Sequence, residues 1–219
     1  MRRDVVVVAG TDTGVGKTVF AAGLTRALNG RYWKPVQAGE DANDPFGSTD
    51  TQRAQKLSGL PAERFLPEAY RLSAPISPHL AAHRDKMRID ARRLELPSPG
   101  LPLVVELAGG LLVPLTPELL QIEVVSRWRA PVALCARTTL GTINHTLLSV
   151  EALRSRDIPL LGVVFIGASQ PQVEESIVAL GRTRRLGRLP MIENIDAEGL
   201  TRSFEESFTR EHFLSTAAA

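Results

Sequence analysis

Short apolar runs recur along the chain and alternate with segments whose apolar residues have helical spacing. The runs have the length and β-branched content of buried parallel strands, and they lie at residues 5–9, 31–36, 103–106, 132–135, 161–166 and 186–189. Helices are predicted between and beside them, at residues 19–28, 49–58, 118–126, 143–156 and 172–180. Strands that alternate with helices predict an α/β fold, with a mainly parallel sheet covered by helices on both faces.

Length and composition narrow the class of protein. The 219 residues are enough for one domain with a large core, and we expect residues 1–214 to form it and 215–219 to fray. The net charge of +2 is too small to argue for a nucleic-acid partner. No apolar stretch approaches the ~20 residues of a membrane span, so we expect a cytoplasmic protein without a membrane partner. The single cysteine, Cys135, lies in an apolar run, which indicates a buried, inert thiol.

A glycine-rich loop follows the first predicted strand and leads into the first predicted helix. It runs Gly-Thr-Asp-Thr-Gly-Val-Gly-Lys-Thr from Gly10. Its glycines let successive backbone N–H groups point at phosphate oxygens, and the helix N-terminus adds partial positive charge. Lys17 can reach the outer phosphates, and Thr18 can ligate Mg²⁺. The loop therefore predicts a nucleoside triphosphate site, although strict spacing would place its first glycine at Thr11.

Charged residues come at the ends of two predicted strands, where ligands bind in open α/β sheets. Glu106 ends a strand before the flexible turn at residues 108–110, so its carboxylate predicts a Mg²⁺ ligand. Lys34 leaves the second strand either as a fixed positive charge aimed at the site or as a solvated strand end. Asp50 is either an N-terminal helix cap or a second Mg²⁺ carboxylate.

Two other clusters carry weaker signals. His79 and His83 would share a helix face, as in a metal-binding pair, but the sequence offers no third ligand of matching spacing. A basic run without interleaved aromatic residues consists of Arg182, Arg184, Arg185 and Arg188. For this run a solvated face is a better interpretation than contact with phosphate or nucleic acid.

Five segments together resemble the dethiobiotin synthetases over nearly the whole chain. They are the loop from Gly10, Tyr-Trp-Lys-Pro-Val-Gln-Ala-Gly from Tyr32, Ser-Pro-His from Ser77, Val-Glu-Leu-Ala-Gly-Gly-Leu-Leu-Val-Pro-Leu from Val105, and Thr-Leu-Gly-Thr-Ile-Asn-His from Thr139. The Lys-Pro-Val and Leu-Gly-Thr-Ile-Asn-His pieces are typical of that family rather than of phosphate loops at large.

The resemblance implies an ATP- and Mg²⁺-dependent cyclising ligase. In that family 7,8-diaminononanoate forms a carbamate with CO₂, the carbamate takes the γ-phosphate of ATP, and the second amine closes the ureido ring. The resemblance also implies a homodimer, because the family counterpart of residues 139–145 delivers the contact to the substrate's carboxylate across the subunit boundary.

The resemblance further assigns roles to individual residues. It implies a catalytic set of Lys34, Lys17 and Thr13, and Mg²⁺ ligands Thr18, Asp50 and Glu106. The implied substrate contacts are Thr13, Lys34, Ala38 and Asn144. With the segment after the last strand added as a candidate for the nucleobase, the expected nucleotide-binding residues are Gly14, Val15, Gly16, Lys17, Thr18, Val19, Asp50, Glu106, Leu107, Ala108, Gly109, Leu189, Pro190 and Met191.

Three departures from the family pattern bear on activity. Leu107 stands where the family usually has glycine, and it would strain the loop if that position needs a positive φ or a close approach to phosphate. Ala38 stands where many members have serine. The strand that ends at Ile166 is followed by Gly167 and Ala168, where members that read adenine often place Asn-Asp.

Two alternative functions stay open. One is a dimeric switch ATPase of the partition or metal-chaperone kind, which typically carries a second lysine early in the loop, near Thr11 or Asp12, where this sequence has none. The other is a pseudo-enzyme that binds nucleotide without turnover, for which Leu107 and Ala38 are the motivation.

Overall fold

The computed structural model describes residues 4–98, 100–193 and 195–213. Its strands, in chain order, are β1 Val5–Gly10, β2 Arg31–Trp33, β3 Val36–Ala38, β4 Phe65–Leu66, β5 Tyr70–Leu72, β6 Leu103–Gly110, β7 Pro114–Thr116, β8 Leu119–Leu120, β9 Val132–Arg137, β10 Leu160–Ile166 and β11 Arg185–Leu189. The helices are α1 Lys17–Ala27, α2 Asp50–Ser58, α3 Pro78–Arg84, α4 Gln121–Trp128, α5 Thr142–Arg154, α6 Pro171–Leu180 and α7 Ala197–Ser207. The predicted tail at 215–219 lies outside the described residues.

Seven of these strands form one sheet in which every neighbouring pair is parallel. The order is β11-β10-β9-β1-β6-β2-β4, so β1 lies in the middle and pairs with β6 and β9. Parallel pairing brings the C-terminal ends of all seven strands to one edge. The phosphate loop leaves β1 at that edge, and Glu106 lies on β6 beside it. This arrangement confirms the predicted α/β class.

Alternating side chains of the central strand face opposite sides of the sheet. Val5, Val7 and Ala9 are buried in one apolar cluster, and Val6 and Val8 in another. The first cluster includes buried residues of α3, α4 and α5, and the second includes those of α1, α2 and α7. Because both faces are covered, β1 is apolar throughout rather than alternating, as parallel strands usually are.

The prediction of one strand over residues 31–36 is wrong, because the strand ends at Trp33 and a second strand begins at Val36. Lys34 and Pro35 separate the two. β2 pairs with β6 in the central sheet, whereas β3 pairs with β5 in a separate two-stranded sheet. Pro35 has no backbone N–H to donate to a strand ladder, and its carbonyl accepts from the Tyr70 N–H at 3.1 Å. The break leaves Lys34 between two short strands.

The helices differ from the prediction at three places. The predicted helix at 118–126 begins only at Gln121, because Leu119 and Leu120 pair with β7. Helix α7 was not predicted, and α3 was considered only as the helix face that His79 and His83 would share. Helix α7 packs on α1 so closely that a Cβ on Gly23 would lie 2.5 Å from the Phe204 ring, so this contact requires glycine.

Two residues singled out in the sequence are buried in the core. Leu107 keeps a negative φ within β6 and packs in the first apolar cluster, so the strain considered for this position does not arise. Gly109, two residues later, is the one with a positive φ of 60°. Cys135 is buried as predicted, and burial raises the pKa of its thiol. Within the described ranges, no helix has both the length and the apolar character needed to cross a membrane.

Candidate nucleotide and metal site

The phosphate loop adopts a conformation that depends on its glycines. Gly14 and Gly16 have φ of 70° and 99°, in the left-handed region that favours glycine. A Cβ on Gly16 would also lie 3.0 Å from Ile166 Cγ2. Lys17 begins α1, and its Nζ donates to the Asp12 carbonyl at 2.9 Å. Burial lowers the pKa of Lys17, and the Glu106 carboxylate only partly opposes this effect.

Four side chains from separate parts of the chain converge beside this loop. The Thr18 hydroxyl lies 2.9 Å from Glu106 Oε1 and 3.2 Å from Asp50 Oδ1. Lys34 Nζ lies 2.8 Å from Glu106 Oε1 and 2.5 Å from Asp50 Oδ2. Thr18 comes from α1, Lys34 follows β2, Asp50 begins α2 and Glu106 lies on β6. The fold therefore assembles a compact cluster of one ammonium, two carboxylates and one hydroxyl.

Lys34 is buried beside two carboxylates, so the solvated strand-end interpretation is wrong. It is 4% exposed, and the neighbouring Glu106 is 1% exposed. Burial alone would lower the pKa of Lys34, but the carboxylates of Glu106 and Asp50 outweigh burial and raise that pKa above its ordinary value. For Asp50, burial alone would raise the pKa, and the Lys34 ammonium outweighs it and lowers that pKa.

Asp50 is not the cap of α2. That position is taken by Thr49, whose hydroxyl accepts from the Gln52 N–H in a capping box. Asp50 is the first helical residue, its carboxylate faces the cluster, and its own N–H donates to Gln37 Oε1 at 3.2 Å. The cap interpretation of Asp50 is therefore wrong, and its carboxylate is available to a cation.

The cluster has the donor set of a magnesium site. Mg²⁺ prefers oxygen ligands, takes one or two carboxylates and keeps several waters or phosphate oxygens. Thr18 supplies a hydroxyl, and the carboxylates of Asp50 and Glu106 each lie within 3.2 Å of its oxygen. These residues fit the ion. The Lys34 ammonium lies beside the same two carboxylates, so the net charge of the cluster is set by Lys34 and Mg²⁺ together.

Two cavities open at the C-terminal edge of the sheet, one on each side of the phosphate loop. The larger has a volume of about 1270 Å³, and the smaller about 590 Å³. Gly14, Gly16 and Val19 line both, and Arg53 also faces both. The loop is thus the shared wall between two spaces of different character.

The predicted site residues divide between these cavities. The smaller cavity is lined by the expected catalytic, metal and substrate residues Thr13, Lys17, Thr18, Lys34, Ala38, Asp50 and Glu106, and by Ala108 and Gly109. The larger is lined by Val15 and by Asn144, Leu189, Pro190 and Met191. Asn144 is therefore not beside Lys34 within one chain, and the Leu107 side chain points into the core instead.

Two functional candidates were missed from the sequence, whereas the basic run was read correctly. Arg137, at the end of β9, donates to the Thr13 carbonyl at 2.5 Å, and the strand-end rule that identified Glu106 could have found it. The Tyr32 hydroxyl donates to Glu106 Oε2 at 2.8 Å, and a buried aromatic residue on a strand gives no signal of this role. The solvated interpretation of the basic run is confirmed for Arg182, Arg184 and Arg185, which are exposed, and Arg185 Nε also lies 2.8 Å from buried Glu174.

The fold and the loop define a class of protein: a phosphate-loop nucleotide-binding protein. The sequence matches the family model described as "AAA domain" over residues 4–199. Among solved structures, the MinC:MinD cell division protein complex of Aquifex aeolicus aligns with a TM-score of 0.54 at 13% identity, over 91% of this chain and 86% of that chain. A ParA family ATPase from Chlorobium tepidum TLS gives 0.53 at 13% identity, over 94% and 91%. These likenesses concern the fold.

Curated relatives identify the family within this class. The ATP-dependent dethiobiotin synthetase BioD of Rhodopseudomonas palustris (strain TIE-1) is 59% identical over 213 residues, which are 97% of this chain and 98% of that protein. The protein of the same name from Agrobacterium fabrum (strain C58 / ATCC 33970) is 53% identical over 212 residues, with 97% and 98% covered. The chain belongs to the dethiobiotin synthetase family and is an enzyme of the ligase class.

Proposed function

We propose that this protein converts 7,8-diaminononanoate, CO₂ and ATP into dethiobiotin, ADP and phosphate, with Mg²⁺ as cofactor. The observation that carries the proposal is the cluster of Thr18, Lys34, Asp50 and Glu106 at the smaller cavity, directly beside the phosphate loop. The larger cavity, on the other side of the same loop, is the proposed space for the nucleobase. As a biosynthetic enzyme it would act in the cytoplasm, as one domain over residues 1–214.

The proposed reaction has three steps, in which atoms and charges balance. One amine of the substrate adds to CO₂ and forms a carbamate, with release of a proton. A carbamate oxygen then attacks the γ-phosphorus of ATP, ADP leaves, and a carbamic–phosphoric anhydride forms. The second amine attacks the carbamoyl carbon, phosphate leaves, and the ureido ring closes as that amine loses a proton. The reacting groups must be held in line, and water must be kept from the anhydride.

Within this scheme the lysines supply positive charge where phosphoryl transfer builds negative charge. Lys17 begins α1 at the loop, and Lys34 faces the same cavity. Groups placed in advance against developing charge stabilise the transition state. Since the carboxylates beside Lys34 raise its pKa, it would act as a fixed cation and not as a base. Mg²⁺, held by Thr18, Asp50 and Glu106, would neutralise charge on the phosphate oxygens.

The smaller cavity also suits the rest of the substrate. Pro75, Ile76 and Val113 line it and offer apolar surface to a methylene chain. Ala38 has no hydroxyl, so a polar contact on that side would come from the backbone. Thr13 lines the same cavity next to Gly109, where its hydroxyl could contact the carbamate or an amine.

We propose that the active form is a homodimer with twofold symmetry. Asn144 lies in a different cavity from Lys34, so its proposed contact with the substrate's carboxylate would come from the second subunit. Backbone N–H groups at the start of α5 suit an anion. Leu140, just before α5, is fully exposed, and Leu148 on α5 is 57% exposed. In the proposed dimer these two side chains would be covered by the second subunit.

The direct test is a product assay. The protein is mixed with diaminononanoate, bicarbonate, Mg²⁺ and ATP, and dethiobiotin is measured by mass spectrometry together with released phosphate. Dethiobiotin and phosphate in equal amounts support the proposal. Phosphate without dethiobiotin would favour a switch ATPase, and neither product would favour a nucleotide-binding pseudo-enzyme.

Removing one proposed metal ligand should raise the Mg²⁺ concentration needed for half-maximal rate. We expect shifts of about tenfold or more for Thr18→Val, Asp50→Asn and Glu106→Gln, because each removes one ionic or polar contact to a divalent ion. Asp85→Asn is the matched control, since this half-buried aspartate lies outside both cavities and, within the described ranges, accepts hydrogen bonds from Ser73 alone. An unchanged Mg²⁺ titration for Asp50→Asn would remove Asp50 from the ligand set.

Selectivity for the nucleobase should be weak. Near Leu189 the backbone is already engaged, because the Gly167 N–H donates to the Leu189 carbonyl at 3.0 Å and the Gly167 carbonyl accepts from Arg188 at 3.1 Å. One or two further neutral hydrogen bonds would net only ~0.5 to 1.5 kcal/mol each, or about tenfold in selectivity. We therefore expect GTP or CTP to replace ATP with kcat/KM reduced by no more than ~30-fold.

This expectation is checked by parallel product assays with the three nucleotides. A preference for ATP above ~10³-fold would contradict it, because such a preference needs paired side-chain contacts to the base. Gln170, whose side chain lies at the larger cavity, would then be the residue to replace first.

A further inference from the structure

The two oxygens of the Glu106 carboxylate have separate partners. Oε1 accepts from Lys34 at 2.8 Å and from the Thr18 hydroxyl at 2.9 Å, and it faces the proposed metal site. Oε2 is turned away from these groups and accepts only from the Tyr32 hydroxyl, at 2.8 Å, among the described residues. One oxygen thus serves the site, and the other is fixed by a tyrosine.

Tyr32 reaches this oxygen because of the register between β2 and β6. Tyr32 is paired with Val104, and Glu106 is two residues further along the same strand, so both side chains point to the same face of the sheet. The Tyr32 ring is completely buried and contacts the ring of Phe65 at 5.6 Å between centroids. A ring held in this way has little freedom, so the hydroxyl is a fixed donor.

The hydrogen bond matters because Glu106 is buried. A carboxylate oxygen without a donor in such surroundings is costly. Without Tyr32, Glu106 could relieve that cost by rotating its carboxylate, so that both oxygens share the Lys34 ammonium. Rotation would take Oε1 away from Thr18. The Tyr32 hydroxyl prevents this rotation. Because the hydroxyl is neutral, it does so without changing the net charge of the site.

We propose that Tyr32 is a positioning residue for the metal site: it holds Oε2 of Glu106 so that Oε1 faces Thr18 and a divalent cation. This inference rests on the proposed assignment of Glu106 as a metal ligand. The competing explanation is that Tyr32 merely fills the core beneath the site and that its hydroxyl contributes only to folding. The two explanations differ in what they predict for metal affinity.

The chain offers a matched control, because it has only two tyrosines. Tyr70 is also buried, at 2% exposure, and its hydroxyl accepts from the Asp90 N–H at 2.8 Å. It lines neither cavity. Tyr32→Phe and Tyr70→Phe each delete one buried, hydrogen-bonded hydroxyl, one beside the proposed metal site and one away from it.

The experiment measures Mn²⁺ and Mg²⁺ binding to the ADP complex of each variant by calorimetry, together with Tm, kcat and the KM for Mg²⁺. We expect Tyr32→Phe to raise the metal Kd about tenfold, because a charged hydrogen bond is lost, and Tyr70→Phe to leave it within about twofold. Both variants should lower Tm. A Tyr32→Phe protein whose Tm falls while its metal Kd stays within about twofold of the parent would overturn the proposal.

A second measurement needs no substitution at Tyr32. The protein is labelled with 3-fluorotyrosine, which gives one ¹⁹F resonance for each tyrosine, and Tyr70→Phe assigns them. The Tyr32 resonance should shift as Mg²⁺ saturates the ADP complex, and the Tyr70 resonance should not. A Tyr32 resonance that is unmoved at saturating Mg²⁺ would contradict the proposal.

The outcomes also separate this inference from the proposed function. If no dethiobiotin is formed but Tyr32→Phe weakens metal binding, the positioning role stands and the reaction is different. If dethiobiotin is formed and Tyr32→Phe leaves metal binding unchanged, the reaction stands and the positioning role fails.

Discussion

Replacing Lys34 with methionine is expected to lower kcat by about 10²-fold or more, because it removes the charge that we propose acts mainly in the transition state. Methionine keeps most of the apolar stem and so limits the loss of packing. The KM for ATP should change much less, since Lys17 and the loop backbone remain. The measurement is the initial rate of dethiobiotin formation at saturating substrates and Mg²⁺.

The same substitution leaves two carboxylates without their nearest cation. Breaking a buried ion pair by removing one partner costs about 3–5 kcal/mol, so the free protein should also be less stable. Mg²⁺ would replace part of the lost charge, and Tm should therefore recover partly when Mg²⁺ and ADP are added. Measuring the rate at saturating Mg²⁺ separates a catalytic loss from unfolding.

Lys56→Met is the matched control for this experiment. Lys56 lies on α2, the helix that carries Asp50, but its Nζ donates to the Pro45 carbonyl and it lines neither cavity. The Lys56→Met enzyme should form dethiobiotin at the same rate as the parent. A Lys34→Met enzyme that keeps kcat within about threefold of the parent would remove Lys34 from the mechanism.

Local sequence pattern was sufficient for most of the fold and for part of the site. The apolar runs located the long strands because a strand buried on both faces needs continuous apolar sequence. The strand-end rule located Glu106 and Lys34 because parallel strands share one C-terminal edge. The loop was evident because its glycines are required by backbone geometry, and Gly14 and Gly16 do have positive φ.

The rest depends on contacts between distant parts of the chain. Ser48, Thr49 and Asp50 can each cap a helix, and only the register of α2 decides that Thr49 does so. The Tyr32 hydroxyl has a role only because β2 lies next to β6. In the described part of the chain no strand follows helix α7 to mark its end, and its place is set by packing of Phe204 on α1.

The division of site residues between two cavities was also beyond sequence reasoning. Asn144 and Lys34 belong to motifs of one family, yet in one chain they face different spaces. Two explanations remain for Asn144. It contacts the nucleotide within its own chain, or it contacts the substrate bound to a partner chain. The second is the proposed one, and mixed dimers distinguish them.

Mixing two crippled variants should restore activity if sites are shared between chains. Asn144→Asp would place a negative charge against the substrate's carboxylate, and Lys34→Met removes the proposed catalytic charge. In a random mixture of equal parts, half of the dimers contain one chain of each kind, and one of their two sites is intact. About a quarter of the parent's activity should return, from a level near ~1% for either variant alone.

The reverse arrangement gives the sharper control. A chain that carries both substitutions is mixed with an equal amount of the parent, so that a shared site in every mixed dimer has one defect. If sites are shared, only parent dimers stay active, and about a quarter of all sites function. If each site is built within a single chain, about half of all sites function. Retention of half the activity, together with no recovery in the first mixture, would place Asn144 in the nucleotide cavity of its own chain. Asn144→Asp should in that case raise the KM for ATP and leave the KM for diaminononanoate unchanged.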